Sequence, residues 1–531
     1  MTSKRFISLI SLLLVLVMSF AILLTGCDED ADTTSSTETL VVYNWEDYID
    51  ESEETSRLDA FVEYYKAVTG KDIEIVYSTF DTNETMMTKV LNDDANSVDL
   101  ICPSEYAIQK LMANGRLASI TDLINEYKDD YTFNNIAEGT MYNTDPAFVN
   151  AIEREFDGIS VGDGTGNMTD YMVPYMMGTI GILYNVKYVT EEDLASGWGM
   201  LWNASGSEKL ENKILVKDSV RDTYAAAVMY MREYDLLPAG YEDMPIADLI
   251  NCTDDPMLEA AMDVLTAQRE HISGYEVDFG KDDMLNEIVY VDLAWSGDAL
   301  WAIEESYDED NVYHNPRTGE DDYEYTLDYY VPTDEDGNAT GNIWFDGWVI
   351  PKAAPNKLAA LMFIDFMNMP ENAIYNSIYI GYTSAVARDK MMYSFVGEGG
   401  EFDLVDGQYV PAENGAYTVN EEVYSALVDS EYALSVEDND GEYDFSFFED
   451  DRRYPTETSQ LGVMRDFGDR QKNAITMWEN AKTGIDVPWV LIYCTIAILG
   501  GVGIFLAYYF IKDALKRNPR KVETPTENIA E

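Results

Sequence analysis

The chain has 531 residues, 46% of them hydrophobic and 12% aromatic, enough apolar material for at least two cores, which excludes a disordered chain. Lys and Arg number 34 against 99 Asp and Glu, a formal charge of −65, which excludes nucleic acid as a partner because phosphate recognition needs a basic face. Charge of this size chiefly confers solubility, and its sign suits a cationic ligand.

In chain order, Lys4 and Arg5 precede an apolar run from Phe6 to Leu24, followed by Thr25-Gly26-Cys27. A basic start, an apolar core and small residues before a cleavage point make an export signal over 1–26. Leu24-Thr25-Gly26-Cys27 resembles the lipobox of bacterial lipoproteins, which implies that Cys27 is the lipidated first residue of the mature protein. Residues 27–38 are acidic and rich in Ser and Thr, so they read as a flexible linker.

A β-rich run at Thr39–Asn44 is followed by helical spacing through Leu58, Phe61, Val62 and Tyr65. A strand is predicted at Ile73–Tyr77, a helix at Asn83–Leu91 and a strand at Val98–Ile101. This alternation predicts an α/β layer with a mostly parallel sheet, whose ligands bind at the carboxyl ends of strands. Further strands are predicted at Gly181–Tyr184, Lys213–Val216, Val289–Ala294 and Trp348–Ile350, with an amphipathic helix at Lys357–Met367. Acidic, turn-rich stretches at 304–324 and 437–451 read as surface insertions. Asp438-Asn439-Asp440-Gly441-Glu442 has its Gly at the fourth place of a would-be calcium loop rather than the sixth, so no metal site is assigned there. Cys102 lies in an apolar run where a buried free thiol is expected, and no disulfide to Cys252 is assigned. Val487–Ile511 is uncharged and, at ~1.5 Å per residue, long enough for a ~30 Å hydrocarbon layer. Lys512, Lys516, Arg517, Arg520 and Lys521 then place 512–531 in the cytoplasm and the body of the chain outside it.

Several short motifs carry a family likeness. Tyr43-Asn44-Trp45-Glu46-Asp47-Tyr48, Tyr77-Ser78-Thr79-Phe80 with Asn83-Glu84-Thr85, and Pro103-Ser104-Glu105-Tyr106 come first. Val173-Pro174-Tyr175-Met176-Met177-Gly178, Asp218-Ser219-Val220-Arg221-Asp222 and Trp295-Ser296-Gly297-Asp298 follow, then Ile343-Trp344-Phe345-Asp346 and Gly381-Tyr382-Thr383-Ser384. Together, from Leu40 to about Gly484, they resemble the spermidine/putrescine-binding proteins of ABC importers. The resemblance implies an α/β, two-lobed periplasmic-binding-protein fold of type II with a hinge. By analogy one lobe is 39–178 plus 345–390 and the other 179–344 plus 391–484. It further implies capture of a polyamine, putrescine or spermidine, and delivery to separate ABC permease subunits. Membrane attachment is by lipid and C-terminal helix.

A polyamine is an apolar chain bearing ammonium groups at fixed spacing, so its site needs carboxylates and aromatic walls. The resemblance places Asp47, Asp222, Asp298 and Asp346 at or beside the anionic contacts, and Trp45, Tyr48, Tyr106, Trp295, Trp344 and Tyr382 in the walls. It gives Ser104 a hydrogen bond to a terminal amine. Read singly, a Trp after a strand is a core residue and an Asp in a turn is a cap. The pairs Trp45/Asp47, Trp295/Asp298 and Trp344/Asp346, on different elements, favour a cation box. Glu46 replaces the family's usual small hydroxyl residue, and Asp298 matches the putrescine-preferring relatives. The alternatives are a same-fold receptor for another cationic or small polar solute, and a ligand sensor. An amino-acid site would need an Arg, and Arg221 is expected to point into its helix. With two His, no Gly-x-Ser-x-Gly, no phosphate loop and no clustered Cys and His, neither a catalytic residue nor a cofactor is assigned.

Overall fold

The computed structural model describes residues 37–52, 56–92, 97–137, 139–388, 390–391, 402–405, 408–411, 450–453 and 461–483. The expected signal, Cys27, the span at 487–511, the tail and the acidic loop at 438–449 lie outside these residues. Among the described residues no helix is long and apolar enough to cross a membrane, and no group of His, Cys, Asp or Glu is placed to hold a metal ion.

Strand β1 (Glu38–Trp45) leads through helix α1 (Arg57–Thr69) to β2 (Ile73–Phe80), which pairs with β1 in parallel from Glu38↔Ile73 to Trp45↔Phe80. Helix α1 starts where Ser56 accepts from the Asp59 amide at 3.1 Å and ends at Gly70, whose φ of 72° suits a residue without a Cβ. Helix α2 (Asn83–Asn92) then returns the chain to β3 (Leu100–Ile101), parallel to β1 on its other side, and α3 (Glu105–Ala113) follows at once.

The two halves of the molecule share one long strand. Strand β4 (Met172–Asn185) is buried along all 14 residues. Its first half belongs with β1 to β3, and its second half pairs with an independent set of strands. That set comprises β5 (Ile214–Lys217), β6 (Gly274–Glu276), β7 (Val291–Trp295) and β8 (Leu327–Tyr330), with helices α4 (Val220–Glu233) and α5 (Asp255–Gln268) between β5 and β6. Helix α6 (Gly280–Leu285) precedes β7, and α7 (Ser296–Glu305) follows it. Strand β9 (Ile343–Val349) recrosses, pairing Ile343 with Thr179 at one end and Val349 with Ile101 at the other. The strand order β2-β1-β3-β9-β4-β7-β5-β6 is therefore one sheet built as two, with the change of partners on β4 between Thr179 and Ile180.

Pro174 sits inside β4 and has no N–H to give. Opposite it the register shifts between Asp346 and Gly347, so the ladder passes over the missing donor with a bulge. After β9, α8 (Lys357–Met367) and α9 (Pro370–Ile380) cover the first half, and β10 (Thr383–Ser384) pairs with β4. Trp348, Phe61 and Phe363 fill one core of that half. A separate cluster including Leu183, Leu215, Leu300 and Tyr329 fills one face of the other. Helix α10 (Gln471–Thr483) packs on the second half, with Trp478 edge-on to Tyr275 at 5.1 Å.

Candidate functional site

A cleft of about 300 Å³ lies between the halves, at the carboxyl ends of their parallel strands. Of the eleven predicted contacts, Trp45, Tyr48, Ser104, Tyr106, Asp222, Trp295, Asp298, Trp344, Asp346 and Tyr382 line it. Asp47 does not. Its φ of 50° turns the chain so that Glu46 faces the mouth and Tyr48 the interior, while the Asp47 side chain stands 71% exposed at the rim beside Lys281.

The wall from the first half is built from strand ends. Trp45 leaves β1 against Phe80 at the end of β2, centroids 4.5 Å apart. Asn83 donates to the Ser104 hydroxyl at 2.9 Å and to the Tyr106 hydroxyl at 3.0 Å, and its oxygen accepts from the Ser104 amide at 3.2 Å. It locks the residues after β3 to the start of α2. Tyr48 donates to Asp346 Oδ2 at 2.8 Å, and Tyr382 stands edge-on to Tyr48 at 4.8 Å. Tyr382 reaches this place only because residue 297 is Gly: a Cβ there would lie 2.2 Å from its ring.

This wall leaves buried polar atoms unpaired, and the cation that bears on Glu105, Arg221, comes from the opposite wall. Asp346 Oδ1, Glu105 Oε1 and Trp344 Nε1 are buried without a hydrogen-bond partner among the described residues. Burial pushes the Asp346 carboxyl up to about 7 against the hydroxyls of Ser104 and Tyr48. Burial, and then the charge of Asp346, pushes Glu105 up to about 8.

The opposite wall carries its own cations, which sequence reasoning missed. Lys217, at the end of β5, forms an ion pair with Glu276, donates to the Val277 carbonyl at 2.9 Å and lies 4.3 Å above the Trp295 ring. Burial opposes its charge, but Glu276, Asp292 and Asp298 together hold its pKa above the ordinary value. Lys281 Nζ is 3.6 Å from Asp298 Oδ1 and 3.3 Å from Asp47 Oδ2. Arg221, expected to point into its helix, instead lines the cleft, its guanidinium 3.6 Å over Phe467 and 4.8 Å over Tyr106. Ser219 caps α4 by accepting from the Asp222 amide at 3.3 Å, which aims the first turn of that helix at the cleft. Asp278 is pushed up to about 6, by burial first and then by Asp298.

Contacts also bridge the cleft. Lys110 reaches Asp466 at 2.9 Å, the Asp466 amide donates to Gln109 at 2.7 Å, and Gln471 donates to Glu84 at 3.3 Å. Cys102 is a buried free thiol and Cys252 is also free. Trp198 and Trp202 are buried in the core and take no part in the cleft.

Two lobes joined by shared strands, with a cleft walled by aromatic rings and carboxylates, define a receptor that encloses a small solute. The match of residues 60–388 to the family "Bacterial extracellular solute-binding protein" shows that the chain belongs to that family. It is 25% identical over 370 residues to the spermidine/putrescine-binding periplasmic protein of Salmonella typhimurium, covering 68% of this chain and 84% of that one. It is likewise 25% identical over 357 residues to the putrescine-binding periplasmic protein SpuD of Pseudomonas aeruginosa, covering 66% and 79%. Among solved structures it is similar to the spermidine/putrescine ABC transporter substrate-binding protein PotD of Streptococcus pneumoniae. There the TM-score is 0.50 at 25% identity, over 84% of this chain and 99% of that one. The fold is therefore the two-lobed periplasmic-binding-protein fold with a mixed α/β sheet.

Proposed function

We infer that this chain is the extracytoplasmic, polyamine-capturing component of an ABC importer and catalyses nothing. The observation that carries the reading is the pair of buried carboxyls Asp346 and Glu105, each with one oxygen that has no hydrogen-bond partner among the described residues, walled by Trp344, Tyr48, Tyr106 and Tyr382. An ammonium placed there gains charge-assisted hydrogen bonds and ring faces together. The names of the relatives above, which bind spermidine and putrescine, agree with it. Ser104 accepts a bond from the terminal amine, Trp45, Asp222, Trp295 and Asp298 form the other side, and Asp47 acts from the rim.

The lobes are 39–178 plus 345–390 and 179–344 plus 391–484, the hinge being the shared strands. Ligand bridges the lobes, favours the closed form, and the closed form docks on separate permease subunits. Residues 1–26 are the lipoprotein signal, Cys27 the lipid site, 27–38 a leash, 487–511 a transmembrane helix and 512–531 a cytoplasmic tail. Arg221 in the cleft favours a second reading, a solute with one anionic end.

Isothermal titration of the full-length chain in detergent with putrescine, spermidine, spermine, arginine and maltose tests both. Saturable heat for a polyamine, abolished in Asp346→Ala, supports the first reading; heat for arginine alone supports the second. Heat for neither removes the cation receptor.

A further inference from the structure

Lys281 stands where a ligand's second ammonium would be expected. Its Nζ contacts Asp298 Oδ1 at 3.6 Å on one wall and Asp47 Oδ2 at 3.3 Å on the rim of the other. The second oxygen of Asp298 is 3.8 Å from Lys217, which also covers the Trp295 ring. The carboxylate and the ring face that a diamine would use at this end are thus both in contact with ammonium groups of the protein itself.

The two lysines differ in what holds them. The Lys217 side chain is 2% exposed and fixed by Glu276 and the Val277 carbonyl. The Lys281 side chain is 16% exposed, and its hydrogen bond goes to a carboxylate that is itself 71% exposed. A long flexible arm bound to a solvated partner can leave at small cost. Asp346 and Glu105, also lining the cleft, each have instead a carboxylate oxygen without a hydrogen-bond partner among the described residues.

We propose that Lys281 is a resident surrogate for a ligand ammonium, which joins Asp298 to Asp47 in the empty cleft and must be displaced by the second cationic end of the ligand. It is then the residue that sets selectivity between amines with one charged end and amines with two. A monoamine anchored at Asp346 leaves Lys281 in place, whereas a diamine of the same carbon length has to move it. The proposal rests on the polyamine reading of this cleft.

The test is calorimetric titration of the full-length chain with putrescine and with 1-aminobutane, in the wild type, Lys281→Gln and Lys281→Met. The two variants lose charge with and without a polar tip, so a packing defect in one is exposed by the other. The ratio of putrescine to 1-aminobutane affinity is expected to rise about two- to fivefold in both, the scale of a partly exposed ion pair. Putrescine binding with a ratio unchanged in both variants overturns the surrogate and leaves the polyamine reading intact. A wild type that binds neither amine overturns the surrogate, and one that gives no heat with spermidine either overturns the polyamine reading as well.

Discussion

The two walls of the cleft treat charge in opposite ways. On the first, Asp346 and Glu105 are buried, incompletely hydrogen-bonded and pushed up to about 7 and about 8. On the second, Asp298, Glu276 and Asp292 are buried among Lys217 and Lys281, which bring their countercharge with them. A buried carboxylate is costly unless paired, and the pairing can come from the protein or from the ligand. The first wall leaves most of it to the ligand, with only the charge of Arg221 bearing on Glu105 from across the cleft. The second supplies it internally, so it orients and discriminates more than it attracts.

That asymmetry is broken most directly by comparing Asp346→Asn with Asp298→Asn. Truncating the charge of one member of a buried, hydrogen-bonded pair costs roughly 2–5 kcal/mol, so putrescine affinity is expected to fall at least about thirtyfold in Asp346→Asn. In Asp298→Asn, where the lost charge was shared with two lysines, the fall is expected to stay below about tenfold. Equal losses by titration calorimetry would end the distinction between the walls. The rings sharpen it further. Trp295 already carries Lys217 on its face, while among the described residues no protein cation covers Trp344. Trp344→Ala should weaken binding roughly three- to tenfold, within the usual scale of a cation–π contact, and Trp295→Ala by less.

These two walls were unequally legible in the sequence. The first was carried by short motifs: those around Trp45 and Ser104 follow strands that the α/β alternation placed in advance, whereas Trp344 and Asp346 lie two apart within β9, a strand foreseen only from Trp348. Helix α8 was predicted residue for residue, because its apolar spacing is uninterrupted. Strand β4 was foreseen only at Gly181–Tyr184, since Pro174 and Gly178 break the pattern of a strand that in fact starts at Met172. Each break has a cause in the fold: a bulge opposite Pro174, and at Gly178 a Cβ would come within 2.5 Å of the Trp344 ring. Lys217 and Lys281 were not legible, because a lone lysine reads as surface charge until the fold brings Glu276, Asp298 and Asp47 around it. Asn83 was quoted within a motif, but its three hydrogen bonds to Ser104 and Tyr106 depend on an encounter between α2 and the residues after β3.

The raised carboxyl values make a pH prediction of moderate size. In the empty protein Asp346 and Glu105 hold protons that the unfolded chain has released once pH exceeds the ordinary carboxylate range. The folded state binds more protons there, so the contribution of this pair to stability falls as pH rises towards 7 and 8. A bound ammonium favours the ionised form of Asp346, the group of the pair nearer neutrality, and reverses its part of that loss. Polyamine affinity should therefore drop severalfold between about pH 8 and about pH 6, with proton release on binding near neutrality. Titrations in buffers of different ionisation enthalpy measure that release, and a pH-independent affinity with no release would remove Asp346 from the ligand site.

The smallest expected effect discriminates between the two carboxyls within that pair. Glu105, pushed up to about 8, keeps its proton at neutral pH, and its Oε2 accepts from the Phe345 amide at 3.2 Å. A Gln side chain offers a carbonyl oxygen for the same bond and has no proton to lose. Glu105→Gln should hence change putrescine affinity by no more than about twofold at pH 7, since it replaces one neutral hydrogen-bonding group by another. It should also leave the number of protons released on binding at pH 7 close to that of the wild type and raise the thermal midpoint of the protein above pH 8, where Glu105 would otherwise be forced to ionise in a buried site. If Glu105→Gln instead weakens binding as much as Asp346→Asn, Glu105 meets the ligand as a carboxylate. The first wall would then hold two full charges for one cation, a site built for two adjacent ammonium groups.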